Sequence, residues 1–154
     1  MQGNHADSLA VGRALLAAGG PATLATLGPG GAPFASYVTA AGAPRQPPVL
    51  LLSGLAQHTR NLLRDARASL LLVGAPEDPR DPMTAPRLTL VGSAARHADQ
   101  AAARELYLAA HPEAELYAGF SDFAYYAFTI ESAHLVAGFG RIVGLAAEDL
   151  LGQP

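Results

Sequence analysis

No apolar stretch in this chain is longer than a β-strand, and glycine or proline punctuates most of the gaps between stretches. That pattern allows many short strands joined by turns and leaves little room for long helices. Thr23 to Leu27 reads as a strand ending in the turn Gly28-Pro29-Gly30-Gly31. Phe34 to Thr39 alternates, with Phe34, Ser36 and Val38 on one face and Ala35, Tyr37 and Thr39 on the other. The two segments predict a hairpin. Val49 to Leu52 is a continuous apolar run, as in a strand buried on both faces. Ser69 to Val73 and Arg87 to Ala95 add two strands, separated by the proline-rich loop Ala75 to Pro86. Ala124 to Glu131 is another, with His134 to Ala137 as its continuation or neighbour. Gly138-Phe139-Gly140-Arg141 turns into a last short strand.

Helices fill the remaining gaps. Ser8 is placed to cap a helix over Leu9 to Ala18, closed by Gly19 and stopped by Pro21. Leu55 to Asp65 has helical periodicity, with Leu55, Thr59 and Leu62 on one face. Asp99 caps an alanine-rich helix ending near His111-Pro112, and Pro112 opens a short one closed by Gly119. The expectation is a mostly β, single-domain chain over residues 1–154. Six or seven mainly antiparallel strands close into a small barrel with peripheral helices.

Absences narrow the chemistry. There is no cysteine, and all ten basic residues are arginine. Thiolate nucleophiles, Zn–Cys and Fe–S clusters, Schiff-base lysines and Walker A lysines are therefore excluded. The net charge of −3 argues against a nucleic-acid footprint. The segment Met1 to Ser8 carries no basic residue and does not read as a secretory signal. With no stretch near the roughly 20 residues needed to span a bilayer, no membrane partner is expected, and the location expected is cytoplasmic.

The strongest local constellation is Ser53 to Asn61, where a buried strand meets a helix whose first turns carry Gln57, His58, Thr59, Arg60 and Asn61. Such a junction offers free N–H groups and the positive end of the helix dipole to a phosphate. The competing reading is a capped surface helix with a polar face. His58 is a candidate phosphate contact, general acid/base or metal ligand, but no second ligand stands at i+3 or i+4. Metal binding is not expected. His5, His97 and His111 read as surface or turn residues, and His134 as structural. Arg87 and Arg141 stand at apolar strand ends and call for an anionic partner, either an internal carboxylate or a ligand. The aromatic loop Tyr117 to Phe123 is placed to cover a planar ligand.

The run Ser53-Gly54-Leu55-Ala56-Gln57-His58-Thr59-Arg60-Asn61-Leu62 resembles a motif of the pyridoxamine 5'-phosphate oxidase-like flavoproteins, in particular their haem-utilisation branch. Three later segments agree in order: Asp81-Pro82 with Pro86 to Gly92, His111 to Ala114, and His134 to Arg141. The resemblance implies an FMN-binding split barrel that acts as a homodimer. It places Ser53, His58, Thr59, Arg60 and Asn61 around the FMN phosphate. Ser36, Tyr37 and Val38 would run beside the flavin ring, with Arg87 and Arg141 as flavin or partner-subunit contacts. The function it implies is a flavin-dependent oxidoreductase of unknown substrate, with no catalytic side chain assigned. The alternatives are a haem- or tetrapyrrole-binding or -degrading module, and a cofactor-free interaction dimer.

Overall fold

The computed structural model describes residues 2–152. Met1, Gln153 and Pro154, the outermost ends of the expected domain, lie outside the described residues. The elements run α1 (Gln2–Ala18), β1 (Gly20–Leu27), β2 (Pro33–Ala41), β3 (Val49–Ser53), α2 (Gln57–Arg64) and β4 (Arg67–Val73). They continue with β5 (Arg87–Arg96), α3 (Gln100–Ala110), α4 (Glu115–Ala118), β6 (Phe123–Val136), β7 (Ile142–Ala146) and α5 (Ala147–Leu151).

All seven strands form one antiparallel sheet in the order β3-β2-β1-β4-β5-β6-β7. A further β3–β6 pairing closes six of them into a barrel. β6 makes this possible by its length. Its first half pairs with β3, from Val49↔Ala127 to Ser53↔Phe123. Its second half carries β7 outside the ring, from Ser132↔Ala146 to Val136↔Ile142. Opposite Val91 and Gly92 of β5 the ladder slips, leaving Glu131 as the extra residue of a bulge that bends β6. Only glycine fits there, because a Cβ on Gly92 would lie 1.8 Å from the Thr129 carbonyl oxygen.

Inward residues of alternate strand positions build the main core: Leu24, Leu50, Leu70, Leu72, Leu88, Leu90, Phe128 and Leu135 are fully buried. α1 and α5 cover one end of the barrel, where Leu15 approaches Gly74 and Gly12 approaches Leu145 and Leu150. α2 packs on β1, β2 and β5 at the other end. A smaller core forms outside β3 and β6, where α3 and α4 bury Tyr107 against Tyr125, ring centroids 5.7 Å apart. His111 belongs to it and is no plain surface residue. Its ring nitrogen Nε2 lies 2.8 Å from the Ala40 carbonyl oxygen.

The β1–β2 hairpin, the Gly19 helix stop at φ +56° and the Asp99 cap all follow the sequence pattern. Several boundaries differ. Ser8 does not cap α1, which already begins at Gln2. Instead it is buried inside the helix, and its hydroxyl donates to the Asn4 carbonyl at 2.8 Å. Pro21 lies within β1. Leu55 precedes α2 and is exposed, so the buried residues of α2 are Thr59, Asn61 and Leu62. His134 to Val136 continue β6, and α5 follows β7 without a sequence signal.

Candidate ligand-binding site

The first turn of α2 forms a polar cradle against β2. Ala56 occupies the N-cap, so no side chain caps the helix, and no acidic residue stands in its first turn. Its leading N–H groups and dipole are thus left to an external acceptor. Ser36 faces inward on β2, and its oxygen lies 3.0 Å from His58 Nδ1 and 3.4 Å from the Leu24 carbonyl oxygen. The other imidazole nitrogen, His58 Nε2, is buried with no partner among the described residues, as is the Thr59 hydroxyl. Burial also holds the His58 pKa below its ordinary value, which keeps the ring neutral at neutral pH. Two buried polar atoms without partners, on successive residues, mark a place where a ligand's polar group can be received.

The other expected phosphate contacts are already committed. Ser53 Oγ donates to Asp122 Oδ2 at 2.7 Å and accepts from the Leu55 N–H at 3.1 Å. Arg60 is exposed, and its guanidinium donates to the Leu55 carbonyl at 3.0 Å. Asn61 turns into the protein, where Nδ2 donates to Thr26 Oγ1 at 3.0 Å and Oδ1 accepts from Gln57 at 2.8 Å. On β2, Tyr37 points outward and is 78% exposed, whereas Val38 is in the core. The structure therefore gathers Ser36, His58 and Thr59 around the start of α2 and ties Ser53, Arg60 and Asn61 to other partners.

Arg87 and Arg141 stand apart from this cradle, on a rim at the α1 end of the barrel. Neither has a carboxylate partner among the described residues. Arg87 donates to the carbonyls of Met83 (2.9 Å) and Ala85 (3.1 Å), and Arg141 to that of Ala137 (3.2 Å). The internal-carboxylate reading of these arginines is thereby set aside. Arg87 lines a groove of about 170 Å³ with Met83, Phe139 and Ile142. A second groove of about 210 Å³, lined by His5, Ser8 and Arg141, shares Gly140 and Ile142 with it. Phe139 and Ile142 are 78% and 66% exposed, an unusual display of apolar surface beside two guanidiniums that have no carboxylate partner among the described residues.

The aromatics of the loop Tyr117 to Phe123 pack largely on one another. Tyr117 and Phe123 pack on each other with centroids 5.4 Å apart, and Phe120 is exposed. Two features had no sequence signal. Asp122 reaches Ser53 only because β3 pairs with β6, a contact across 69 residues. His5 joins Arg141 only because α1 begins well before Leu9 and lies against the strand after Arg141.

Comparison with known proteins places this geometry. The sequence profile of the CREG β-barrel family matches residues 4–149. A haem-binding protein from Mycobacterium smegmatis shares 37% identity, with a TM-score of 0.85 over 94% of this chain and 60% of that one. A non-canonical haem oxygenase of Arabidopsis thaliana, described as chloroplastic, is 40% identical over 93 residues, which are 59% of this chain and 27% of that protein. This chain therefore spans only part of either relative. A Clostridium acetobutylicum protein of the pyridoxinephosphate oxidase family shares the fold, at 16% identity and a TM-score of 0.70 over 94% of this chain and 97% of that one. The split-barrel fold and the kinship with haem-utilisation proteins agree with the sequence motifs.

Proposed function

This chain belongs to the CREG β-barrel family, and from that premise we propose that it is a homodimeric tetrapyrrole-binding barrel, with haem the ligand to test first. The rim carries this reading. A haem needs apolar surface for its faces, cations for its propionates and a nitrogen for its iron. Phe139, Ile142 and Met83 offer the first, Arg87 and Arg141 the second, and His5 the third. The two haem relatives support the same ligand class, although the oxygenase activity belongs to a protein of which this chain matches 27%. Bound haem would supply iron redox chemistry, and the residues named here would bind and orient it.

Haem titration followed by the Soret band tests the proposal. Saturation is expected at one haem per chain. The double substitution Arg87→Ala/Arg141→Ala should weaken binding at least roughly tenfold, since each charge-assisted contact is worth about 1.5–3 kcal/mol. A wild-type protein that leaves the haem spectrum unchanged would sink the reading.

A second reading rests on the α2 cradle. His58 Nε2, the Thr59 hydroxyl and the uncapped helix start suit an acceptor-rich group such as the FMN phosphate, with Arg60 able to swing from Leu55. By the resemblance, Ser36, Tyr37 and Val38 would then flank the flavin ring, and the protein would be a flavin-dependent oxidoreductase. A yellow purified protein, bleached by NAD(P)H or dithionite, is the outcome this reading expects.

A further inference from the structure

Two small grooves meet at the rim, and a turn divides them. Met83, Arg87, Val136 and Phe139 line the first, of about 170 Å³. Asn4, His5, Ser8 and Arg141 line the second, of about 210 Å³. Gly140 and Ile142 line both, so the connection 137–141 from β6 to β7 is their common wall. Sites that enclose a small-molecule ligand run to roughly 300–1,000 Å³. Neither groove reaches that size alone, and the two arginines stand on opposite sides of the wall.

The wall is held only by itself. Among the described residues, the hydrogen bonds of the turn all stay within it. The Ala137 N–H donates to the Arg141 carbonyl at 2.9 Å, and the Arg141 N–H to the Gly138 carbonyl at 3.4 Å. The Arg141 guanidinium donates to the Ala137 carbonyl. Gly138 and Gly140 have φ of +118° and +77°, and a Cβ on either would meet no atom within 4 Å. The turn thus stands clear of the barrel, and its two glycines can change backbone conformation at little cost.

We propose that the turn 137–141 swings aside to merge the two grooves into one site, and that this opening gates the entry of a tetrapyrrole carrying carboxylates. This rests on the reading of the rim as the tetrapyrrole site. With the wall displaced, Arg87 and Arg141 border one space, and Phe139 travels with the turn as an apolar cover. A chain whose open form is the minor one takes up ligand more slowly by that fraction.

The test strains the closed turn. Alanine is disfavoured at the φ of Gly140, whereas asparagine tolerates it. Haem association is followed at the Soret band by stopped flow, and a thermal melt checks each fold. Gly140→Ala should speed association about fivefold with dissociation unchanged, and Gly140→Asn should stay within about twofold of the wild type. Should Gly140→Ala fail to fold, Gly138→Ala takes its place with the same expectation. Association at the wild-type rate or below, or equal acceleration by Gly140→Asn, would overturn the gate and leave haem binding at the rim standing. A wild type that leaves the haem spectrum unchanged removes the rim reading and the gate with it.

Discussion

His58 is kept neutral by burial, and the sign of that effect decides how the fold meets acid. Its pKa in the folded chain lies below its ordinary value of 6.5. As pH falls through 6.5 the unfolded chain takes up a proton that the folded chain resists. Stability is therefore lost from that pH downward, until the folded chain is protonated too. His58→Gln removes this titration. Denaturant melts at about pH 7.5 and about pH 5.5 should show a smaller loss of stability for His58→Gln than for the wild type. An equal loss in both would remove His58 as the source. The sequence identified His58 as important but not its state, because the Ser36 contact and the burial that hold it arise from the α2–β2 packing.

At the scale of elements, Asn61 shows what was legible in the chain and what was not. The α2 periodicity was readable. That its fifth residue faces the core was not, because helical spacing alone favoured Leu55 over Asn61 as the buried position. Leu55 loses that place because the helix begins two residues after it. Asn61 gains it through Thr26, itself 2% exposed on β1. The side chain joins helix to strand as a buried hydrogen-bonded pin. Asn61→Ala would leave the Thr26 hydroxyl without its partner and should cost about 1–3 kcal/mol of unfolding free energy. Chemical denaturation measures it, and a loss below about 0.5 kcal/mol would mean that α2 is held by Leu62 alone. The strands were legible for a different reason: alternation and glycine turns are local signals, so the hairpin and the antiparallel order followed from them. The β3–β6 closure was not, since it joins segments separated by five intervening helices and strands.

At the scale of the whole molecule, one outer face of the barrel asks for a partner. Outward residues of β1, β4 and β5 form two uncharged cross-strand rows, Thr23–Leu71–Thr89 and Ala25–Ser69–Val91. Beside them a groove of about 360 Å³ is lined by Ala25, Pro33, Ala68 and Val91, with Val91 44% exposed. Arg67 and Glu131 also line the groove, and a largely apolar sheet surface that also carries both signs of charge is where a second copy of the chain is expected to sit. Light scattering should give twice the mass of one chain, and Val91→Glu should give a folded monomer. A wild-type monomer would count against the dimer.

β6 is fourteen residues long, and its two ends serve different surfaces. One end pairs Phe123 with Ser53 just before α2, and the other pairs Val136 with Ile142 at the rim. Along β5, Arg87 stands five residues beyond Gly92, which is level with Thr26, a run of about 16 Å. The strand thus acts as a spacer between the start of α2 and the rim. Suppose a cofactor drew the rim from one copy and the start of α2 from a second. Its affinity would then fall on dilution of the protein, as the copies part, whereas a ligand held by one surface alone would bind with the same constant at every protein concentration.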